Sequence, residues 1–271
     1  MENIICIFCK GNTSSSKSVE HIIPESLGCT RLVLRKGIVC DKCNNYFSSK
    51  IEGPLLAGGY FKTFRFVMDI PSKKGKIPPY LGAFDDRGVV WDVHKFKNSL
   101  PIMTTPNPKD AYSLLRGVQS GNDSRLYFPQ PAQEEDEYLM ARFLAKIAIE
   151  YLAFRVSDIP GWQDEVVFKP ELDEIRNFSR YGKPNYKWGY SRRFLYRADR
   201  YFLRTDGLFD EILNELDFLY IDEKFLFLIV CIFGVEYAIG LTSGEMMPIY
   251  YNWLENNDGV SHLYSGKNAL K

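Results

Sequence analysis

The stretch that decides the fold runs from residue 6 to residue 45. Its three informative parts read Cys6-Ile7-Phe8-Cys9, Glu20-His21-Ile22-Ile23-Pro24-Glu25-Ser26-Leu27-Gly28 and Cys40-Asp41-Lys42-Cys43-Asn44-Asn45. The outer parts are Cys-x-x-Cys pairs, and four thiolates that converge tetrahedrally make a closed structural Zn²⁺ site. The sequence therefore predicts zinc bound by Cys6, Cys9, Cys40 and Cys43, which stabilises a module with little core of its own. The alternative, four unrelated buried cysteines, does not account for the paired spacing.

The middle part makes the pattern more specific. Residues 6–52 resemble the zinc-containing HNH endonuclease family, whose pattern is Cys-x-x-Cys, then Asp or Glu followed by His-Ile-x-Pro-x-Ser-x-Gly, then Cys-x-x-Cys followed by Asn or His. The resemblance implies the ββα-metal fold, in which the motif histidine ends the first strand of a hairpin and the last motif residue opens a helix. His21 and Asn44 are then expected to face each other.

The resemblance also implies a role for each motif residue. His21 would be the general base that takes a proton from the water attacking phosphorus, a task that suits an imidazole near neutral pH. Glu20 and Asn44 would bind a catalytic divalent ion, and their oxygen donors favour Mg²⁺ or Mn²⁺ over zinc. Such an ion would contact the scissile phosphate and the leaving 3′ oxygen, and the products would carry 5′-phosphate and 3′-hydroxyl ends.

Three positions depart from the family pattern. Glu20 stands where the family usually has Asp, and the extra methylene changes the reach of the carboxylate. The middle asparagine, which in the family fixes the loop behind the histidine, is missing, and Arg31 is the candidate to replace it. A lysine common after the final motif residue is replaced by Phe47, so Lys50, one turn later, is the candidate for contacting a phosphate.

A second candidate surface is the basic aromatic segment, residues 176–204. It holds nine basic residues and one acidic residue, in a chain whose totals are 34 and 34. Cations interleaved with aromatic rings can follow a phosphate backbone while stacking on exposed bases. The predicted nucleic-acid-binding residues are Lys187, Arg192, Arg193 and Arg197. The alternative is that the rings fill a core while the arginines are solvated or pair with the acidic residues at 134–137.

The whole chain is expected to have an α+β fold. A small N-terminal zinc-bound ββα-metal module, residues 1–55, would precede a larger mixed α/β domain, residues 56–271, with antiparallel strands and one long amphipathic helix. That second domain would position the substrate or sense a trigger. The elements expected in it are strands at 60–69 and 88–96, a mostly irregular span at 101–131 with a short helix at 111–118, a helix at 134–155, a short helix near 208–216 and a strand pair at 224–241.

Composition indicates a soluble globular protein, with 45% hydrophobic and 25% charged residues. The start lacks a secretory signal and no apolar run is long enough for a membrane span, so a cytoplasmic protein without membrane contact is expected. DNA is the expected partner, with RNA left open. Because one site of this kind cuts one strand, breaking a duplex needs two sequential nicks or two copies, which a homodimer would supply.

Three functions are compared on this basis. The leading one is a metal-dependent HNH endonuclease that hydrolyses DNA phosphodiester bonds, by analogy in a mobile-element, restriction or antiviral defence context. The alternative is a non-catalytic zinc-dependent nucleic-acid-binding protein in which His21 only packs. A third makes the C-terminal domain a ligand sensor that releases the nuclease. Glu20, His21 and Asn44 favour the enzyme, because a protein that only binds has no need of all three.

Overall fold

The structure is a computed structural model that describes residues 4–72, 74–96, 100–121, 125–129, 136–183, 185–203, 208–211 and 213–268. The fold is mixed α+β with antiparallel sheets, which confirms the predicted class. The chain forms two compact units, one of residues 1–55 with 135–271 and one of residues 56–134. The division into functional domains at residue 55 stays a prediction. In the structure, residues 1–55 belong to the same compact unit as residues 135–271.

The helices and strands follow one another in a mixed order. The helices are α1 (Asp41–Phe47), α2 (Gly53–Ala57), α3 (Gly59–Val67), α4 (Pro108–Gln119), α5 (Glu137–Val156), α6 (Trp162–Val166), α7 (Asp173–Tyr181), α8 (Met247–Asn256) and α9 (Tyr264–Asn268). The strands are β1 (Tyr80–Asp85), β2 (Val90–His94), β3 (Ile102–Thr104), β4 (Leu126–Tyr127), β5 (Tyr190–Phe194), β6 (Tyr201–Leu203), β7 (Phe209–Glu211), β8 (Asn214–Ile221), β9 (Phe225–Ile232) and β10 (Val235–Gly240). Short 3₁₀ turns lie at Glu25–Leu27 and Pro170–Leu172, and a π-helical turn lies at Ser48–Glu52.

The long helix α5 is the centre of the first unit. Asp136 caps its start by accepting a hydrogen bond from the Leu139 N–H at 2.9 Å, while the predicted start at residues 134–135 lies outside the described residues. The sequence predicts one buried face, whereas residues 140–151 are buried on every side because other elements surround the helix. No helix in the described part of the chain is both long and apolar enough to cross a membrane.

A four-stranded antiparallel sheet, in the order β5-β10-β9-β8, completes the first unit. The predicted strand pair at 224–241 is confirmed as β9 and β10. Gly234 makes the turn with φ 79°, and a side chain there would collide with the Tyr196 carbonyl oxygen. The short helix predicted near 208–216 is wrong, since β7 and β8 occupy that stretch. The reason is tertiary, because β8 pairs with β9 along its whole length.

The second unit is a four-stranded antiparallel sheet, in the order β3-β2-β1-β4, with α3 and α4. Its core contains Phe66, Tyr80, Ala83, Trp91 and Val93. The strand predicted at 60–69 is wrong, because residues 59–67 form the helix α3, in which the buried Phe61 and Arg65 lie one turn apart. The strand predicted at 88–96 is confirmed as β2. The span predicted as mostly irregular contains α4, longer than expected, and the short strands β3 and β4.

Candidate functional site

The four paired cysteines come together at one point. Their Sγ atoms all lie within 4.8 Å of one another, and those of Cys9 and Cys40 are 3.6 Å apart. Tetrahedral zinc with Zn–S bonds of about 2.3 Å places its sulfur ligands about 3.8 Å apart. The arrangement therefore fits a closed structural metal site, and zinc is the ion that the donor set favours.

The proximity of the thiols changes how they ionise. A hydrogen bond with Cys43 lowers the pKa of Cys6 to about 5. The same contact with Cys6 raises the pKa of Cys43, and burial raises the pKa of Cys40 to about 11. The cluster thus stabilises one thiolate among neighbouring thiols, and a divalent cation would take the place of their protons.

Removal of the bound metal is expected to unfold this segment. Structural zinc contributes on the order of 10 kcal/mol in small zinc peptides, and about 1 kcal/mol shifts the melting temperature of a chain of this size by about 2–4 °C. We therefore expect a strong chelator to lower the melting temperature by roughly 10 °C or more. Calorimetry with and without chelator, together with metal analysis of the purified protein, checks this. Metal-free protein with an unchanged melting temperature would contradict it.

Helix α1 is held against the residues that precede His21. A cysteine caps the helix, because Cys40 Sγ accepts a hydrogen bond from the Cys43 N–H. In the first turn, Asp41 Oδ1 accepts a hydrogen bond from the Ser18 N–H at 2.8 Å. One turn later, Asn44 Nδ2 donates to the Val19 carbonyl oxygen at 3.2 Å. The structure thus brings Asn44 to the backbone two residues before the predicted base.

The strand that carries His21 has only short antiparallel pairing. His21 forms a single bridge to Val33, and the Leu34 N–H donates to the Glu20 carbonyl oxygen at 2.9 Å. The expected hairpin is therefore present in a reduced form. His21 Nδ1 is buried and has no hydrogen-bond partner among the described residues. Arg31, the candidate for the missing asparagine, has an exposed side chain.

Glu20 belongs to a buried charge cluster centred on Lys146. The Lys146 Nζ atom lies 2.7 Å from Glu20 Oε1, 2.8 Å from Glu52 Oε1 and 2.9 Å from Glu150 Oε2. It also donates to the His21 carbonyl oxygen at 3.2 Å. The Lys146 side chain is fully buried and that of Glu20 is 7% exposed. We call these four charged residues, Lys146 with Glu20, Glu52 and Glu150, the Lys146 cluster.

The charges in the Lys146 cluster are unequal, with one ammonium among three carboxyl groups. Burial lowers the pKa of Lys146, but attraction by Glu150, Glu20 and Glu52 outweighs it and holds that pKa above its ordinary value. Burial raises the pKa of Glu150 well above its usual range. Lys146 is therefore charged, and the Glu150 carboxyl group is shifted toward its protonated form. The cluster braces both Glu20 and the strand of His21 from the side of α5.

The contacts of Lys146 with Glu20 and with the His21 backbone were not predicted from the sequence, although one sequence pattern indicates them. Arg142, Lys146 and Glu150 recur at four-residue steps in the otherwise uncharged stretch 138–154 of α5, and we call them the polar stripe. Residues four apart lie on one face of a helix. Arg142 extends the stripe by donating to the Tyr46 hydroxyl at 2.8 Å. A charged stripe in a buried helix indicates that another polar segment packs there.

The basic aromatic segment divides between core and surface. Arg176 and Arg180 are buried, as are the rings of Trp188 and Tyr196, which favours the structural alternative for these four. Arg193 donates to the buried Glu236 carboxylate and to the Gly259 carbonyl oxygen.

The other predicted binding residues are exposed. Arg192 lies on β5, Arg197 pairs with Asp199, Lys187 pairs with Glu137, and Lys50 lies on the π-helical turn after α1. Arg204, at the end of the segment, is outside the described residues. The ion pairs described for Lys187 and Arg197 are with Glu137 and Asp199 and not with the motif residues.

Comparison with known proteins bears on the N-terminal segment. Residues 6–57 match the family model described as HNH endonuclease, and the match covers that segment of the chain. No curated protein and no solved structure gives a significant match. The match supports nuclease activity in general and implies a nucleic acid as substrate. The roles of individual residues and the identity of the ions stay predictions.

Proposed function

We propose that this protein is a metal-dependent endonuclease that hydrolyses DNA phosphodiester bonds, with His21 as general base and Mg²⁺ or Mn²⁺ held by Asn44 and Glu20. The observation that carries the proposal is the contact of Asn44 with the Val19 carbonyl oxygen, within a segment that matches the HNH endonuclease family. This contact joins Asn44, the last residue of the motif, to the backbone two residues before His21. An unrelated zinc module has no need of that arrangement.

His21 supplies the proton acceptor in this proposal. Its backbone is fixed by the bridge to Val33 and by the Lys146 hydrogen bond to its carbonyl oxygen, so the point from which the ring projects is defined. An imidazole that is partly exposed and held in place can accept the proton of an attacking water near neutral pH. Fixing the base before the substrate arrives lowers the entropic part of the barrier.

The residues around His21 offer suitable donors for a hard cation. The nitrogen of the Asn44 side chain donates to Val19, and its oxygen is the atom of the amide that binds a cation. Glu20 completes the donor set with a carboxylate that Lys146 already holds in place. A divalent cation bound there would offset the negative charge that develops on the phosphate in the transition state.

The exposed part of the basic aromatic segment is proposed to bind the nucleic-acid backbone. Arg192 and Arg197 are the appropriate residues to change, because Arg193 compensates the buried Glu236 and its loss would disturb the fold. We expect Arg192→Ala with Arg197→Ala to weaken DNA binding and to reduce the dependence of log K on log salt by about 1–2. Titrations at several salt concentrations measure this, with the exposed Lys36→Ala as control. Unchanged affinity and slope would exclude this surface.

A plasmid assay tests the proposed function directly. Purified protein is incubated with supercoiled plasmid and added Mg²⁺, Mn²⁺ or a chelator, and a labelled RNA of matched sequence is run in parallel. We expect nicked circles that depend on the added ion and on His21. Binding without cleavage under every condition would instead support the zinc-dependent nucleic-acid-binding protein. Linear product that appears with a second-order dependence on protein would support two cooperating copies. A role in mobile elements, restriction or antiviral defence stays a prediction.

A further inference from the structure

Helix α7 places two buried arginines one turn apart against the four-thiol cluster. Arg176 is 1% exposed and Arg180 is 6% exposed. Both lie outside the segment that matches the HNH endonuclease family. A buried guanidinium group is costly unless hydrogen bonds and opposite charge compensate it. The partners of these two side chains therefore indicate what the helix does.

Arg180 contacts the second cysteine pair. Its Nε atom donates to Cys43 Sγ at 3.3 Å. The central carbon of its guanidinium lies over the Tyr46 ring, 3.7 Å from the ring centroid. The Tyr46 hydroxyl in turn accepts a hydrogen bond from Arg142 at 2.8 Å. Stacking and hydrogen bonding together fix the direction of the N–H group that points at the sulfur.

Arg176 contacts the first cysteine pair. Its Nε atom donates at 2.7 Å to the carbonyl oxygen of Ile7, which lies between Cys6 and Cys9. The other two nitrogens of its guanidinium donate hydrogen bonds to the Asp173 carboxylate and to the Val166 carbonyl oxygen. One face of α7 thus contacts both cysteine pairs, although the pairs are distant in the chain from this helix.

The charge of the four-thiol cluster with a bound metal explains why a guanidinium is suited to this place. Four thiolates around a divalent cation carry a formal net charge of −2, which is unfavourable in a buried setting. A cationic N–H donor to one sulfur offsets part of that charge and makes a hydrogen bond stronger than a neutral one. Outer partners of this kind orient metal ligands, and their loss lowers metal affinity by about 10- to 100-fold.

We propose that Arg180 is a positioning residue of the zinc centre, which holds the Cys43 thiolate for the metal through a charge-assisted hydrogen bond. Arg176 fixes the backbone of the opposite cysteine pair from the same helix. The centre therefore consists of four ligands near the N-terminus and a brace from residues 173–181. The inference concerns metal retention and does not depend on the proposed nuclease function.

The test compares arginine variants in the full-length protein. Arg180→Met removes both the charge and the donor, Arg180→Gln keeps a donor without charge, and Arg180→Lys keeps the charge. Arg197→Met is the matched control, because Arg197 comes from the same basic segment but is exposed and pairs with Asp199. Each protein is loaded with one Zn²⁺, and transfer of the metal to excess chromogenic chelator is followed.

We expect Arg180→Met to release zinc about 10- to 100-fold faster than the wild type. Arg180→Gln and Arg180→Lys should fall between the two, and Arg197→Met should behave as the wild type. If Arg180→Met does not fold, the Gln and Lys variants decide the matter. Release within twofold of the wild type in all Arg180 variants, or a wild-type protein that binds no zinc, overturns the proposal.

A spectroscopic readout separates the contact with sulfur from a general loss of stability. Cobalt replaces zinc, and the sulfur-to-cobalt charge-transfer band is recorded. A hydrogen bond stabilises the sulfur lone pairs, so its loss in Arg180→Met should move the band to lower energy, while Arg197→Met leaves it unchanged. An unshifted band in a folded Arg180→Met protein would show that the N–H does not act on the thiolate. Plasmid cleavage, measured separately, would still report on the nuclease function.

Discussion

Replacing His21 with alanine is expected to lower the rate of DNA cleavage by about 100- to 10,000-fold, which is the usual contribution of a positioned general acid or base. The imidazole is the group that accepts the proton of the attacking water in our proposal. The substitution leaves the four thiols and the Lys146 cluster in place, since Lys146 contacts the His21 backbone and not its ring. Folding and metal content should therefore be retained.

His94→Ala is the matched control for this experiment. His94 lies on β2, where its Nε2 atom is within 3.3 Å of the Thr104 hydroxyl, and no catalytic role is assigned to it. Initial rates of plasmid nicking, thermal melting and zinc content are measured for both variants and the wild type. The role of His21 would be excluded by a His21→Ala protein that nicks plasmid at the wild-type rate.

Replacing Lys146 with methionine is expected to lower the free energy of unfolding by about 3–5 kcal/mol, the usual cost of removing one partner of a buried ion pair. The side chain is fully buried and lies within 2.9 Å of three carboxylate oxygens. Methionine has a similar length, so the change removes the charge and leaves little cavity. The remaining carboxyl groups would stay buried without a counter-ion.

Urea unfolding measures this loss, with Lys169→Met as the control. Lys169 forms an exposed ion pair with Glu165 at 2.8 Å, and such surface pairs contribute little. A second substitution, Glu150→Leu, should restore part of the stability lost in Lys146→Met, because it removes one uncompensated carboxyl group. If the losses of stability in Lys146→Met and in Glu150→Leu simply add in the double variant, packing and not charge dominates the Lys146 cluster.

Local patterns predicted the parts of the structure that local contacts determine. The spacing of the cysteine pairs was enough to predict that four thiols meet, because a metal leaves few other arrangements for two Cys-x-x-Cys pairs. The pair β9 and β10 followed from two apolar runs separated by Gly234. The helix α5 was predicted from its acidic start and from apolar residues that recur every three or four positions.

The errors and omissions have a common cause in contacts between distant residues. The aromatic content of residues 60–69 predicted a strand, whereas most of that stretch forms the helix α3, which packs against β1. Residues 208–216 fitted an amphipathic helix, but pairing with β9 selected the strand. Nothing near Arg180 in the sequence indicated that its partner would be Cys43. The surroundings of Glu20 were equally hidden, because Lys146 is distant from it in the chain.

The first compact unit is discontinuous, since the chain leaves it near residue 55 and returns near residue 135. Domains fold as units while the ribosome delivers the chain from its N-terminus. The cysteine pairs and His21 therefore leave the ribosome well before α5 and α7, and Glu20 and Cys43 at first lack Lys146 and Arg180. A nascent chain would thus carry an unbraced N-terminal segment until synthesis has passed residue 180, so the surroundings of the four thiols are complete only when most of the polypeptide exists.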